Sequence, residues 1–394
     1  MTSQRGRGSD PGTVATDVRR SSTGSPNLAD RGPDVFTVVT AWLAGRVVFV
    51  VGWFLARVTW GAWSVTRPLQ LDQGLFAWDG AWYRDLAVHG YGHTPGSIRF
   101  FPGYPLLGRF LGFLPGGPAT ALVVIANLSF LLALALVLRL SRLLSGDPVV
   151  ARRAVWLVGL WPASFVSVMA YSEPLAMVLV LVALLGGCGR RWTWAAPAAL
   201  AAALVRPTGV LLVVPLAVVA ARVWAGSDIG GRLRNRLTAV SMILAAPAGA
   251  LLFAGWSWRS GHGFWEPVSV QRPLRGGFHE PLSRVLVAVW DLLVSDPLGD
   301  GLHAPFALLL VGLVVVGWLL LPRPLAWYGV AVAAVALGAG NLNSLERYYL
   351  AAPTLLVGAA MLPWSRRVFA GTMVAAGAAG VGLTGLAYVG RYVP

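Results

Sequence analysis

The feature that most constrains the fold of this chain is a succession of long apolar segments separated by short polar ones. Of the 394 residues, 56% are hydrophobic and 12% are charged, whereas soluble domains contain about 45–50% apolar and about 25% charged residues. A soluble protein of this composition would expose large apolar patches to water and associate through them. The sequence therefore excludes a soluble enzyme and predicts a multi-pass membrane protein.

The apolar segments indicate how many helices the protein has. The first, from Val35 to about Val58, is long enough to cross a bilayer, which takes roughly 20 residues. The others lie near residues 118–138, 154–170, 174–188, 193–205, 210–223, 237–257, 304–321, 325–340, 350–363 and 368–388. Several are shorter than a full span, and 193–205 and 210–223 are expected to be broken helices that meet at Arg206. We expect an all-α polytopic protein with about eleven transmembrane or half-membrane helices.

The N-terminal segment differs in composition from the rest of the chain. Residues 1–34 are rich in Ser, Gly, Pro, Arg and Asp and have few apolar side chains, so we expect a disordered cytoplasmic tail. No short apolar stretch with a small-residue cleavage site follows the charges, so the tail is not a signal peptide. Residues 35–394 are predicted to form one polytopic domain with two long loops, at 59–117 and 258–303.

The net charge of +15 indicates an orientation in the membrane. All 31 basic residues are arginines. With the tail in the cytoplasm, 18 arginines and six acids fall on the cytoplasmic side, and 11 arginines and ten acids fall on the opposite side. This asymmetry follows the positive-inside rule. The sequence has no folded basic domain or aromatic-lined groove, so no nucleic-acid partner is expected. We predict a multi-pass protein of the cell membrane with a cytoplasmic N-terminus.

The same topology places both long loops on the extracytoplasmic side, together with polar turns at 171–173, 206–209 and 341–347. In the first loop, the pattern from Gly80 to His89 predicts a short interfacial helix, with aromatic and apolar residues on one face. Asp79 precedes this helix and suits either an N-cap or a catalytic carboxylate. The following Arg99–Pro105 segment has two prolines, which predict a rigid, non-helical turn or a part of an interfacial aromatic belt.

Several short motifs resemble those of one enzyme family. The first loop contains Trp78-Asp79, Trp82-Tyr83, Leu86-Ala87, Gly90-Tyr91 and Phe100-Phe101-Pro102-x-Tyr104-Pro105. Later turns contain Tyr171-Ser172-Glu173-Pro174, Arg206-Pro207-Thr208-Gly209 and Arg347-Tyr348-x-Leu350. In this order, over residues 76–350, the motifs resemble PIG-V-type mannosyltransferases of the GT-C superfamily of integral membrane glycosyltransferases. The chain departs from that pattern at Gly103, where members commonly have a bulky residue, and at Pro207-Thr208, which replaces a usual Ser-Asn pair.

The resemblance implies transfer of a sugar, with mannose as the expected one, from a polyprenyl-phosphate carrier to an acceptor hydroxyl with inversion. The residues favour a lipid-linked donor independently, because the polar cluster is predicted to lie on the side of the membrane that lacks nucleotide sugars. In addition, no Gly-rich phosphate loop opens a soluble α/β domain. The expected partners are membrane lipids, the polyprenyl-phosphate sugar and a glycolipid, lipoglycan or protein acceptor.

Asp79 matches the aspartate of the family's first loop, which makes it the candidate general base, with Asp85 in reserve. Arg206 and Arg347 are candidate phosphate ligands, since an arginine between apolar half-helices is costly unless it meets an anion. The alternative for both is a structural ion pair with Glu173 or Glu346. The alternative role of Glu173 is that of an acid at a helix N-terminus, where the helix dipole favours it. The predicted substrate-binding residues are Trp78, Trp82, Tyr83, Asp85, Phe101, Tyr104, Tyr171, Glu173, Arg206, Arg347 and Tyr348.

The five histidines do not predict a metal site. Only His89 and His93 share the four-residue spacing of helical zinc ligands, with Gly90 between them. We therefore expect no metal and no cofactor beyond the lipid-linked donor substrate.

Two other classes of function are compatible with such a chain. A lipid or solute transporter or flippase would also have broken helices, but no inverted repeat is visible in the sequence, and its polar residues would lie at the midplane. A non-catalytic membrane scaffold would tolerate substitution of Asp79, Arg206 and Arg347 together.

Overall fold

The structure, a computed structural model, describes residues 28–63, 67–189, 191–225 and 232–394. Within these ranges the chain is helical, and its β pairing is limited to one isolated bridge between Phe278 and Ala339. The α-helices are α1 (Leu28–Thr59), α2 (Asp79–Val88), α3 (Gly103–Phe110), α4 (Gly117–Ser145), α5 (Pro148–Gly159), α6 (Glu173–Cys188), α7 (Trp192–Val205), α8 (Val213–Ala225), α9 (Arg232–Arg259), α10 (Glu266–Ser269), α11 (Arg272–Arg275), α12 (Pro281–Trp290), α13 (Ala304–Leu320), α14 (Arg323–Leu337), α15 (Leu345–Ala351), α16 (Pro353–Ala360) and α17 (Arg366–Tyr388).

Among the described residues, six helical stretches are long and apolar enough to cross a membrane. They are Gly32–Ala62, Gly117–Ser145, Pro207–Ala225, Asn235–Arg259, Asp300–Leu320 and Arg366–Tyr388. The apolar helices α6, α7 and α14 are shorter. Large apolar side chains on the long helices point outward, such as Phe36, Leu319 and Val374, which are 70–73% exposed. Lipid solvates such an exterior and water does not. The predicted all-α polytopic membrane architecture is confirmed.

Helix breaks divide several of the predicted apolar segments. The break predicted at Arg206 is present, because α7 ends at Val205 and a 3-10 helix, Pro207–Leu212, precedes α8. The segments 154–170 and 350–363, predicted as single runs, are also interrupted, before Pro162 and before Pro353. A proline has no N–H to bond to the preceding turn, so each of these prolines starts a new helical piece.

The N-terminal boundary differs from the predicted one. Most of the predicted disordered tail, residues 1–27, lies outside the described part of the chain. Helix α1 nevertheless begins at Leu28, inside the predicted tail and ahead of the predicted domain start at Val35. The Asp34 carboxylate lies 2.6 Å from Arg142 at the end of α4, and this ion pair holds the start of α1 against the bundle.

The first long loop contains the predicted short helix, shifted by one residue to α2 (Asp79–Val88), with Tyr83, Leu86 and Ala87 on its buried face. The predicted non-helical turn at Arg99–Pro105 is present only at residues 100–102, because α3 begins at Gly103. Pro105 lies in the first turn of α3, where a backbone N–H has no partner within the helix and its absence is tolerated. Gly103 packs closely on α7: an added Cβ would lie 2.8 Å from a methyl carbon of Val205.

Candidate active site

Four charged side chains from four separate segments form one continuous ion cluster. Asp79 begins α2, Glu173 begins α6, Arg206 lies between α7 and its 3-10 extension, and Arg347 lies in α15. Arg347 Nη1 donates to Asp79 Oδ2 at 2.8 Å and to Glu173 Oε1 at 2.9 Å. Arg206 Nη1 lies 2.7 Å from the same Glu173 oxygen. Two carboxylates and two guanidinium groups therefore neutralise one another in what we call the ion cluster.

Local backbone geometry places two of these side chains. Trp78 (φ 56°) and Ser344 (φ 68°) are the only non-glycine residues with positive φ in the described part of the chain. They directly precede the helices that carry Asp79 and Arg347. Such conformations cost about 1–3 kcal/mol each and persist where surrounding contacts hold them. The Trp78 indole is held by a 3.0 Å bond to the carbonyl of Ala387.

Asp79 does not act as the N-cap that was considered for it. The N-cap position belongs to Trp78, and Asp79 is the first helical residue. Its carboxylate bonds to Arg347, and its backbone N–H donates to the Tyr171 hydroxyl at 3.3 Å. Glu173 does begin a helix, as predicted, and its helix N-terminus favours a negative charge.

Two serines, neither of which was singled out from the sequence, bind the arginines of the ion cluster. Ser172 Oγ accepts a bond from Arg206 at 3.1 Å and lies 2.7 Å from the Tyr83 hydroxyl. Ser344 Oγ accepts from Arg347 at 2.9 Å and donates to the Pro394 carbonyl at 2.8 Å. Only their positions in the sequence pointed to the site. Ser172 stands between Tyr171 and Glu173 in one of the quoted motifs, and Ser344 lies in the polar turn at 341–347.

The members of the ion cluster differ in accessibility. The side chains of Glu173 and Arg347 are 3% and 6% exposed, that of Arg206 is 19% exposed and that of Asp79 is 29% exposed. Asp79 is therefore the carboxylate of the cluster that a substrate can reach. Glu173 Oε2, Arg206 Nε and Arg347 Nε are buried and have no hydrogen-bond partner among the described residues. The cluster thus retains unused hydrogen-bonding capacity.

A further arginine, missed in the sequence analysis, lies beside the ion cluster. The Arg99 guanidinium stands 4.4 Å from the ring centroid of Trp82 and 4.9 Å from that of Phe100. Burial lowers the pKa of Arg99, and the nearby Asp79 carboxylate partly offsets this effect. Within the described residues it forms no ion pair with a carboxylate, unlike Arg206 and Arg347. Its position directly before Phe100 in the predicted aromatic segment was the signal for it.

Other predicted substrate-binding residues pack against the ion cluster or against one another. Tyr171 faces the Arg347 guanidinium at 5.4 Å, and Trp82 stacks on Phe100 at 5.6 Å. The ring of Tyr104 packs edge-on against that of Tyr83 at 5.0 Å, and its hydroxyl donates to the carbonyl of Leu122.

Three of the predicted residues make their contacts elsewhere. Phe101 packs against Phe253 at 4.9 Å, and Tyr348 packs against the apolar core. Asp85, the reserve base, lies near the opposite end of α2 from Asp79 and bonds to His89 and Thr94.

Glu173 and Glu346 were both considered as ion-pair partners of Arg206 and Arg347, and the structure distinguishes between them. Both Arg206 and Arg347 pair with Glu173. Glu346 binds His303 and Tyr392 instead, each at 2.8 Å. Ion pairing through Glu173 is therefore present, and phosphate binding by the same arginines stays a prediction.

Comparisons with known proteins add little to this description. No protein-family model and no curated protein matches the chain. One similar solved structure is the oligosaccharyltransferase AglB of the archaeon Archaeoglobus fulgidus in complex with an inhibitory peptide and a dolichol-phosphate. It has a TM-score of 0.43 and 15% identity over 89% of this chain and 56% of that one. Another is the oligosaccharyltransferase of that archaeon tethered to an acceptor peptide, with a TM-score of 0.39 and 13% identity over the same shares. The chain thus spans a little over half the length of these structures, and such TM-scores do not establish a common fold.

Proposed function

We propose that the protein is an integral membrane glycosyltransferase that moves a sugar, mannose, from a polyprenyl-phosphate carrier to an acceptor hydroxyl with inversion. One observation supports this proposal above the others. The motifs that resemble those of PIG-V-type enzymes lie far apart in the sequence, yet their charged residues meet in a single ion cluster. Asp79 and Arg347, for example, are 268 residues apart and lie 2.8 Å from each other.

Asp79 suits the role of general base. It is the accessible carboxylate of the ion cluster, and Arg347 holds its Oδ2 while Oδ1 stays available to an incoming hydroxyl. In the proposed reaction Asp79 takes the proton of the acceptor hydroxyl as the acceptor oxygen bonds to the anomeric carbon. The bond between that carbon and the phosphate oxygen breaks, and polyprenyl phosphate leaves with the electron pair. General base catalysis of this kind contributes typically about 10²–10⁴-fold in rate.

Arg99 is the best candidate for binding the phosphate of the donor. The leaving phosphate gains negative charge as its bond to the sugar breaks, so the site needs a cation that is not already neutralised. Arg206 and Arg347 are paired with Glu173 and Asp79, whereas Arg99 lies against the aromatic faces of Trp82 and Phe100 and forms no ion pair among the described residues. A planar guanidinium also binds two phosphate oxygens at once.

The proposal places the ion cluster on the extracytoplasmic side of the cell membrane. The argument for this orientation is the distribution of arginines between the predicted loops. The pairing of Asp34 and Arg142 at 2.6 Å fits the assignment of these two residues to one side of the membrane. A lipid carrier would bring the sugar to that surface, where its phosphate lies level with the loop helices.

The experiment that tests this function uses membranes from cells with and without the gene, incubated with labelled polyprenyl-phosphate mannose. We expect a labelled product that requires the gene, and its chemistry identifies the acceptor as a glycolipid, a lipoglycan or a protein. Identical products from both membranes would contradict the proposal. Solute or lipid transport by the purified protein in liposomes, without a glycosylated product, would favour the transporter alternative.

A further inference from the structure

A second cluster of titratable side chains lies where α2 ends, separate from the ion cluster. The Nδ1 atoms of His89 and His93 both point at one oxygen of Asp85, Oδ1, at 2.9 and 3.1 Å. The two imidazole rings stack with their centroids 4.3 Å apart and 21° between their planes. We propose that Asp85, His89 and His93 form a binding site for one Zn²⁺ ion. This proposal does not rest on the proposed function.

The spacing of the three ligand atoms fits zinc. All three lie within 4.8 Å of one another. Tetrahedral zinc binds imidazole nitrogen and carboxylate oxygen at about 2.0–2.2 Å, which separates neighbouring ligand atoms by roughly 3.3–3.6 Å. The two nitrogen–oxygen separations, 2.9 and 3.1 Å, therefore need to lengthen by only about 0.2–0.7 Å. Two imidazoles and one carboxylate form a donor set suited to zinc, with a fourth position left for water.

The local fold brings these ligands together. Asp85 and His89 are four residues apart and share one face of the end of α2. Gly90, with φ of +86°, then ends the helical path and turns the chain so that His93 lies over His89. A cation here is also stabilised by the negative end of the helix dipole.

A supporting hydrogen bond orients the carboxylate. The Thr94 hydroxyl donates to Asp85 Oδ2, which leaves Oδ1 directed at the imidazoles. The Thr94 bond thus positions the carboxylate, as hydrogen bonds from outside the coordination sphere do at metal sites.

A second histidine–carboxylate pair among the described residues lacks the third ligand that the Asp85 cluster has. His262 and Glu266 have the same four-residue spacing and lie 3.2 Å apart, but no third ligand joins them in the part of the chain that the structure describes. That pair is a partly exposed hydrogen-bonded contact. In the second cluster, the stacked His93 supplies the third ligand that His262 and Glu266 lack.

The site would fix the segment after α2. His93 and Thr94 belong to the stretch that leads from α2 to Arg99, so a zinc ion would hold this stretch against the end of the helix. The ligand Asp85 lies six residues, or roughly 9 Å along the helix axis, from Asp79. The ion would therefore be structural and not in contact with the atoms that react in the proposed transfer.

Zinc titration of the purified full-length protein tests the site. The protein in detergent is stripped with a chelator and titrated with Zn²⁺ against a chromogenic competitor. We expect one Zn²⁺ per chain, at least tenfold weaker binding in His93→Ala, and about 10–100-fold weaker binding in Thr94→Val. His262→Ala is the matched control and should bind like the wild type, and millimolar Mg²⁺ should not compete, because it prefers oxygen ligands.

Loss of folding can be distinguished from loss of zinc binding in these variants. The His93 side chain is 58% exposed, so His93→Ala should elute from a sizing column as the wild type does. Wild-type protein that binds Zn²⁺ no more tightly than His93→Ala would overturn the proposal, as would an equal loss in His262→Ala. Because the readout is metal binding, a failure here leaves the glycosyltransferase proposal unaffected, and the reverse also holds.

Discussion

Replacing Glu173 by glutamine should destabilise the protein through a charge that loses its partner. One oxygen of Glu173 lies 2.7 Å from Arg206 and 2.9 Å from Arg347, and the side chain is 3% exposed. In Glu173→Gln, Arg347 keeps its ion pair with Asp79. Arg206 keeps only its hydrogen bond to Ser172 and remains as a largely buried, uncompensated cation.

The size of the effect follows from the burial of Arg206. Removing one partner of a buried ion pair costs about 3–5 kcal/mol, chiefly because the other charge stays desolvated. The Arg206 side chain is 19% exposed, which gives it some access to water and places the loss at about 3 kcal/mol, the lower end of that range. At roughly 2–4 °C for each kcal/mol in a large domain, the Tm should fall by roughly 6–12 °C.

Thermal unfolding in detergent, followed by the fluorescence of the 18 tryptophans, measures this loss. Glu266→Gln, which removes an exposed glutamate, is the control and should leave the Tm near that of the wild type. The double variant Glu173→Gln with Arg206→Gln should recover part of the loss, because it removes the uncompensated charge. A wild-type Tm in Glu173→Gln, or a double variant no more stable than the single one, would refute the reasoning.

Two further substitutions test other parts of the site. Arg99→Gln should raise the KM for the lipid-linked donor by about 10–100-fold, the equivalent of a charged hydrogen bond of about 1.5–3 kcal/mol. The exposed Arg84→Gln serves as its control, and equal KM values in the two variants would argue against phosphate binding by Arg99. At Ser344, both Gly and Ala remove the hydroxyl that bonds Arg347, but only Gly adopts φ of +68° without strain. Ser344→Gly should therefore be more stable than Ser344→Ala by roughly 1–2 kcal/mol in thermal unfolding, and equal stabilities would show that this conformation costs little.

The sequence was sufficient to predict the helical membrane architecture because lipid imposes it. Each spanning segment needs an apolar exterior, and that requirement is visible as a run of apolar residues. The start of α1 at Leu28 was not visible, because residues 28–34 continue the polar composition of the preceding tail. The turn predicted over Arg99–Pro105 extended too far, since a proline such as Pro105 is compatible both with a loop and with the first turn of a helix.

The membership of the ion cluster was partly predictable for a similar reason. Alternating the segments across the membrane placed Asp79, Glu173, Arg206 and Arg347 on one side. The choice of Glu173 over Glu346 as the partner of both arginines depends on how α6 and α15 pack, which no local pattern records.

Two other features were overlooked or hidden in the sequence. Asp85 precedes His89 by the spacing that was noted between His89 and His93, so that part of the second cluster was visible. The stacking of His93 on His89 depends on the turn at Gly90 and became clear only in the structure.

Sugar transfer by the purified Asp79→Asn variant tests the central claim most directly. The assay follows label from polyprenyl-phosphate mannose into the acceptor and compares the variant with the wild type at equal amounts of folded protein. The variant should keep a Tm close to that of the wild type, because Arg347 retains Glu173 as its partner. Its transfer rate should fall by about 10²-fold or more, since no other accessible carboxylate of the ion cluster can accept the proton. A folded Asp79→Asn protein that transfers sugar at the wild-type rate would contradict the account.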